Sequence, residues 1–387
     1  MNTVLETKLQ TTRDLLDLRA EDHHPGLLFE GRIWTWAEVV AECKVRAHLM
    51  LSLHEEGKPF HVGVMLENDP EYIFAIGGAA YAGATVVGIN LTRRGEELAR
   101  DIAYTDVEIL LTTRELEGYF NSVDSGVPAA QTRYIETAEY ARELDSLRHL
   151  PRPDAEAAGD PNTTLLLLFT SGSTGDPKAV ICTTGRLFRT AQFQHMGLGR
   201  QDVSYNSMPL FHGNGIFACW ANPLYTGGTF ALARKFSASG FLPDLMRYKA
   251  TYFNYVGRSL SYLLAQPEKA AEAETYLRSC FGTEASEFDL AEFHRRFGVW
   301  PTESYGASEG GLTLKRTDDC PAGALGVAPE GMDAAVVNPD TMEPCPPAIF
   351  SENGRILNAE DAIGELVNLT GAALFEGYYK NPEAVAE

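Results

Sequence analysis

The chain lacks most of the features that place a protein in a class at sight. Its six cysteines, Cys43, Cys182, Cys219, Cys280, Cys320 and Cys345, make no C-x-x-C pair and have no clustered histidines beside them. That spacing argues against a structural zinc site and fits reduced thiols in a cytosolic protein. Positive charge is scarce: 32 Lys and Arg face 53 Asp and Glu, leaving a net charge of −21. Phosphate-backbone binding depends on Lys and Arg, so nucleic acid is not expected as a partner, nor is a polybasic membrane anchor. No apolar run reaches the ~18 residues of a membrane span. The nearest approach, residues 73–89, is rich in Gly and Ala and includes Thr85, and reads as a buried helix leading into a strand. The first eight residues, Met1-Asn-Thr-Val-Leu-Glu-Thr-Lys8, have no apolar centre of the kind a signal peptide needs. Repeats, low-complexity tracts and a Ser-His-Asp arrangement are also missing.

What is present is an ordinary globular composition, 44% hydrophobic and 22% charged, over 387 residues, enough for a large core or two to three subdomains. A loose helical lead-in occupies the first ~20 residues. Thr35 and Glu38 have capping-box spacing, and Pro70 follows Asn68-Asp69 where a helix would begin. Strands are expected at 61–66, 84–89 and 107–111, with a helix at 94–104, an alternation that indicates a doubly wound parallel sheet. A polar, proline-rich linker at 151–161 leads to a further strand. A second alternation follows, with strands at 203–208, 228–233 and 251–256 and helices at 241–248, 260–265 and 290–297. Beyond about 322 the pattern changes to short strands and turns, as in a small β-barrel-like subdomain. The expected fold is thus α/β: two doubly wound mixed or parallel sheet subdomains, approximately 1–200 and 201–321, and a β-barrel-like subdomain at 322–387.

One segment is unlike the rest. Leu165-Leu-Leu-Leu-Phe169 reads as a strand buried on both faces, and Thr170-Ser-Gly-Ser-Thr-Gly-Asp-Pro-Lys178 follows it directly. Ligands gather at the carboxyl ends of parallel strands. Gly172 and Gly175 let backbone approach an anion; Thr170, Ser171, Ser173 and Thr174 add hydroxyls, and Lys178 adds a cation. The combination suits a polyphosphate. It is not a G-x-x-x-x-G-K-[ST] loop, because Lys178 follows Asp176-Pro177.

This loop resembles the nucleotide loop of adenylate-forming enzymes: acyl-CoA synthetases, luciferases and peptide-synthetase adenylation domains. Ser173 stands where the family usually has Thr, and Ala179 where it has Gly. Three more motifs agree in order: Tyr305-Gly-Ala-Ser-Glu309, Gly364-Glu-Leu366, and Gly377-Tyr-Tyr-Lys-Asn-Pro-Glu383. Asn90-Leu-Thr-Arg-Arg-Gly-Glu-Glu-Leu-Ala99 and Phe253-Asn-Tyr-Val-Gly257 are most similar to fatty-acid-transport-protein-type long-chain and very-long-chain fatty acyl-CoA ligases. The resemblance covers roughly residues 30–387. The family's Asp-containing ribose motif, hinge and small C-terminal lid with its catalytic lysine would come after Glu387, so the chain reads as the large N-terminal domain.

The resemblance implies a site and a reaction. Thr170 and Glu309 would hold Mg²⁺, Ser171 to Gly175 and Lys178 would wrap the β- and γ-phosphates, and Thr170, Lys178 and Glu309 would carry catalysis. Gly282, Thr283 and Glu284 would form one wall of the adenine slot; Tyr305, with Gly306 and Ser308, the other. His212, in Pro209-Leu-Phe-His-Gly-Asn-Gly215, would stand at the mouth of the acyl pocket, and Tyr255, Val256 and Gly257 would line it, with Gly257 leaving room for a chain. Packing roles remain the alternative for His212 and for the Tyr255–Gly257 run. No aspartate stands near His212 to hold an amino group, so an α-amino acid substrate is not expected. The implied activity is ATP-dependent activation of a fatty acid to acyl-adenylate and, in the complete protein, transfer to CoA. Aryl- or short-chain acid ligation and a non-catalytic adenylate-binding module are the alternatives. Implied partners are fatty acid, ATP and CoA, in a cytoplasmic setting with peripheral membrane association left open.

Overall fold

Apolar runs of four to seven residues alternate with amphipathic helices along most of the chain, and the strands they form assemble into two mixed sheets. The computed structural model describes residues 9–170, 178–192, 197–306, 309–317, 319–321, 323–371 and 375–383. Two compact units divide it: Met1–Pro301 with Glu376–Glu387, and Thr302–Phe375.

In the larger unit, β1 (Pro25–Phe29) and β2 (Arg32–Thr35) form a hairpin. Then come β3 (His61–Val64), β4 (Thr85–Gly88), β5 (Ile109–Thr112), β6 (Thr132–Tyr134), β7 (Thr164–Thr170) and β8 (Lys178–Thr183). These six make one sheet in the order β6-β5-β3-β4-β7-β8, parallel except for the antiparallel pair β7–β8. The next strands, β9 (Val203–Asn206), β10 (Thr229–Leu232), β11 (Tyr252–Val256) and β12 (Ser279–Thr283), pair in parallel as β12-β11-β9-β10. The early hairpin completes this second sheet, β1 lying parallel to β10 with Leu27 opposite Phe230. Residues 25–35 therefore belong with strands some 200 positions later, not with the sheet that follows them in sequence.

Helices cover both faces of both sheets. Between them lies a core built from helices Thr12–Arg19, Trp36–Leu53, Pro70–Ala82, Thr184–Gln192 and Ala221–Thr226, with Val62, Val86, Leu166 and Leu168 from one sheet and Leu27, Phe230, Leu232 and Tyr252 from the other. Val87, Leu110, Leu167 and Phe169 pack on the outer face of the first sheet with helix Gly95–Tyr104. Phe253 and Tyr255 pack on the outer face of the second with helices Ala238–Tyr248, Gly257–Leu264 and Glu287–Phe297. A strand covered on both sides needs apolar residues at every position, which is why β7 is Leu-Leu-Leu-Leu-Phe without alternation. Its five buried side chains contribute on the order of 10 kcal/mol before chain entropy opposes them.

Local signals position these elements. The Asp69 side chain accepts from the Glu71 N–H and Pro70 takes the first helical position, while Gly83, at φ +71°, ends the helix. All thirteen residues of that helix are buried, which accounts for its membrane-like composition. Among the described residues no helix is long and apolar enough to cross a membrane. The Thr35–Glu38 capping box opens helix Trp36–Leu53 as its spacing predicts.

The smaller unit holds β13 (Thr302–Gly306) paired antiparallel with β14 (Thr313–Lys315), and β15 (Ala334–Val337) paired antiparallel with β16 (Glu365–Asn368). Its described residues form these short pairs and isolated bridges rather than a closed barrel.

Candidate active site

Thr170 and Lys178 face each other across the last rung of the β7–β8 pair, and the seven residues between them in sequence lie outside the described residues. β7 runs parallel to β4, and Thr170 thus stands at the carboxyl end of the sheet's parallel strands, the side on which open α/β sheets bind ligands. Both side chains are half-buried. The Lys178 ammonium lies 5.5 Å from the centroid of the Tyr378 ring. Ser171, Gly172, Ser173, Thr174 and Gly175 lie outside the described residues.

The Gly-Tyr-Tyr segment forms a strap along β8. The Ile181 N–H donates to the Gly377 carbonyl at 3.0 Å and the Tyr379 N–H to the Ala179 carbonyl at 2.9 Å, which sets Tyr378 directly opposite Val180. Gly377 has φ +97°, a conformation that favours glycine. Before the strap, the Glu376 carboxylate accepts from the Thr183 N–H at 2.6 Å and its hydroxyl at 2.7 Å, and pairs with Arg189. After it, the Tyr379 hydroxyl donates to Asp106 at 2.6 Å, the Lys380 ammonium reaches the same carboxylate at 2.5 Å, and the Tyr104 hydroxyl donates to the Tyr379 carbonyl. Burial opposes ionisation of Asp106, but the hydrogen bonds from Lys380 and Tyr379 outweigh it and hold the carboxyl below its ordinary value.

In the second sheet, Gly282 and Thr283 end β12 and Glu284 follows with φ +67°. Gly282 pairs with Tyr255 and Thr283 with Val256. Here the expectation that Gly257 leaves room for an acyl chain is corrected. A Cβ on Gly257 would sit 1.9 Å from the Glu284 carbonyl oxygen, so its small size admits the neighbouring backbone. Likewise a Cβ on Gly282 would meet the Tyr255 ring at 2.5 Å. Tyr255 itself is fully buried with Phe253, Leu260 and Phe293 in the outer core, on the opposite face of β11 from Asn254. Val256 is half-buried at the strand end.

His212 follows a loop that Asn68 holds from below: the Leu210 N–H donates to the Asn68 side-chain oxygen at 2.9 Å, and the Asn68 amide donates to the Met208 and Ala233 carbonyls at 3.1 and 2.9 Å. The His212 ring is exposed and lies 4.6 Å from that of Phe211. Protein packed around it still disfavours the charged imidazolium and lowers its pKa. A six-residue π-helix, Gly215–Trp220, comes next, a form often found at functional sites. Asn254, buried on β11, donates to the Asn214 side chain just before that helix, and its oxygen accepts from the Cys219 thiol at 3.2 Å. The sequence reading gave no role to Asn68, Asn214 or Asn254; for Asn254 a buried asparagine inside an apolar strand was the available signal, since such a group must find partners.

In the smaller unit, Tyr305 and Gly306 end β13, opposite Leu314 and Thr313. Tyr305 is 42% exposed, so it is not a core side chain. Glu309 is half-buried in the turn that follows, and the Asn368 amide donates to the Gly311 carbonyl at 2.8 Å. Ser308 lies outside the described residues.

Parallel strands that end at Thr170, with Lys178 beside it on the neighbouring strand, define an α/β protein of the open-sheet kind that binds ligands at its strand ends. The chain belongs to the AMP-binding enzyme family, which it matches over residues 17–379. It is similar to a steroid-22-oyl-CoA synthetase of Rhodococcus jostii (strain RHA1), at 44% identity over 99% of this chain and 69% of that protein. It is also similar to the medium/long-chain-fatty-acid–CoA ligase FadD17 of Mycobacterium tuberculosis, at 38% identity over 97% of this chain and 71% of the ligase. Among solved structures, the inhibitor-bound N-terminal domain of FACL13 from Mycobacterium tuberculosis shares the fold with a TM-score of 0.78, at 19% identity over 97% of this chain and 92% of that one.

Proposed function

We propose that this chain is the adenylating N-terminal domain of an AMP-forming acid–CoA ligase for fatty-acid-type carboxylates, which activates the acid with ATP and, in the complete protein, passes it to CoA. The observation that carries this reading is the Thr170–Lys178 hairpin base at the carboxyl end of the sheet, in a family whose similar members are CoA ligases and synthetases.

In the first half-reaction a carboxylate oxygen attacks the α-phosphorus of ATP, the bond to the bridging oxygen breaks, and pyrophosphate leaves. Both reactants are anions, so neutralisation and alignment matter more than proton transfer. Lys178 and the loop that ends at it meet the β- and γ-phosphates. Tyr305, whose ring is exposed, and the Gly282–Glu284 backbone are the residues that the family resemblance assigns to adenine. His212, kept neutral by its surroundings, donates a hydrogen bond to the carboxylate without pairing its charge away. Among the described residues no three His, Cys, Asp or Glu cluster as a metal cage. Mg²⁺ takes one or two protein oxygens, substrate phosphates and water. Thr170 and Glu309 are the residues assigned to hold it, where it would supply positive charge to the phosphates.

The 44% identity to a steroid-22-oyl-CoA synthetase supports a second substrate reading, a carboxylate on a steroid side chain. A panel of octanoate, palmitate, a C22 steroid carboxylate and benzoate, with pyrophosphate release measured on the full-length protein, tests both. Release with an aliphatic or steroid acid and not with benzoate is expected. Release with benzoate alone would overturn the fatty-acid reading, and none with any acid would favour a non-catalytic module.

A further inference from the structure

We infer that Tyr378 is a positioning residue for Lys178: its ring holds the ammonium at the base of the phosphate loop. The inference rests on the proposed role of Lys178 at the nucleotide. Without the strap, β8 would be the open edge of the six-stranded sheet, and the first side chain on that edge is Lys178. The strap pairs with the edge antiparallel, Tyr378 opposite Val180. Residues two apart on a strand share a face, so Lys178 is the diagonal neighbour of Tyr378 on the same side. Their separation of 5.5 Å from ammonium to ring centroid lies within cation–π range.

Lysine carries its charge on a flexible stem that has no preferred direction of its own. The strap that carries the facing ring, by contrast, is fixed on both sides of Tyr378. Glu376 ties the strap to Thr183 and Arg189, and Tyr379 and Lys380 tie it to Asp106. An aromatic face suits the task, because it attracts the cation without neutralising it. A carboxylate in the same place would cancel the charge that the phosphates need.

The test combines Tyr378→Phe and Tyr378→Leu with wild-type Lys178 and with Lys178→Ala, measuring KM for ATP, KM for the acid and the melting temperature of each. Phenylalanine, which keeps the ring, should stay closer to wild type than leucine in its KM for ATP. Leucine should raise the KM for ATP by about two- to fivefold, the fold-change of an exposed cation–π contact, and leave the KM for the acid unchanged. In the Lys178→Ala background, leucine should add nothing. An equal effect of leucine with and without Lys178, or an equal rise in both KM values, would overturn the inference and leave Tyr378 as edge packing.

If Lys178→Ala alone does not change the KM for ATP, the functional reading of Lys178 fails separately. The contact is then read without turnover, by the rate at which an amine-acylating reagent labels Lys178, followed by peptide mapping. Faster labelling in Tyr378→Leu than in Tyr378→Phe supports the ring's hold on the ammonium; equal rates overturn it.

Discussion

At the scale of single residues, the candidate site separates groups that act by charge from groups that act by being small. Glu309 belongs to the first kind. If it holds Mg²⁺ against the phosphates, Glu309→Ala should reduce pyrophosphate release by about 3 kcal/mol of transition-state stabilisation, on the order of a hundredfold, with the fold intact. Near-normal release from a folded variant would remove the metal role. Gly257 belongs to the second kind. A methyl group there meets the Glu284 carbonyl at 1.9 Å, and that contact is backbone, which cannot swing away. Gly257→Ala should therefore destabilise the protein by about 1–3 kcal/mol in urea unfolding. Gly118→Ala, where nothing stands within 4 Å of the added carbon, is the matched control and should be near neutral. A neutral Gly257→Ala would show that the two strand ends are less tightly joined than their contact implies.

Between elements, the strap along β8 depends on titratable anchors, and this gives it a pH response. Asp106 has a folded pKa below its ordinary value, so its contribution is fully present above the usual carboxylate range, near ~4, and is lost as pH falls through the lowered value. His61, whose ring stands 5.2 Å from that of Tyr379, is kept neutral to lower pH by burial. Hydrogen-exchange protection of the Ile181 and Tyr379 amides should thus fall below about pH 4, and Asp106→Asn should flatten that dependence. Constant protection across this range in the wild type would mean that Asp106 does not hold the strap.

The same elements show what could be read beforehand. The strand Thr164–Thr170 and the Thr35–Glu38 cap were legible because local chemistry dictates them. The pairing of β1 with β10 was not, since parallel partners some 200 residues apart leave no local trace. Tyr255 was assigned to the acyl path by resemblance, with packing as the alternative, and the side of the strand it occupies could not be read, because a strand covered on both faces carries no alternation. The π-helix at Gly215–Trp220 was missed as well: its sequence, Gly-Ile-Phe-Ala-Cys-Trp, carries neither a cap nor a helical period.

For the whole molecule, the dominant physical fact is its charge of −21. Self-repulsion of that size opposes the compact state, and added salt screens it over a Debye length of about 10 Å at 0.1 M. The opposing effect is loss of the surface ion pairs, such as Arg234–Glu30, but exposed pairs contribute only about 0–1 kcal/mol each. The buried pair Arg296–Glu272 is shielded from ions and should respond little. Repulsion summed over the whole surface should win. The melting temperature is therefore expected to rise as NaCl goes from about 20 to 150 mM at pH 7.5, where the Debye length shortens toward ~8 Å. MgATP, also an anion, should meet the same long-range field, so its association rate should increase over that interval rather than fall. A falling rate would show that Lys178 and the other local donors outweigh the net charge at the distance where the nucleotide is first captured. A falling melting temperature would show that the ion pairs, not the repulsion, govern the response of the fold.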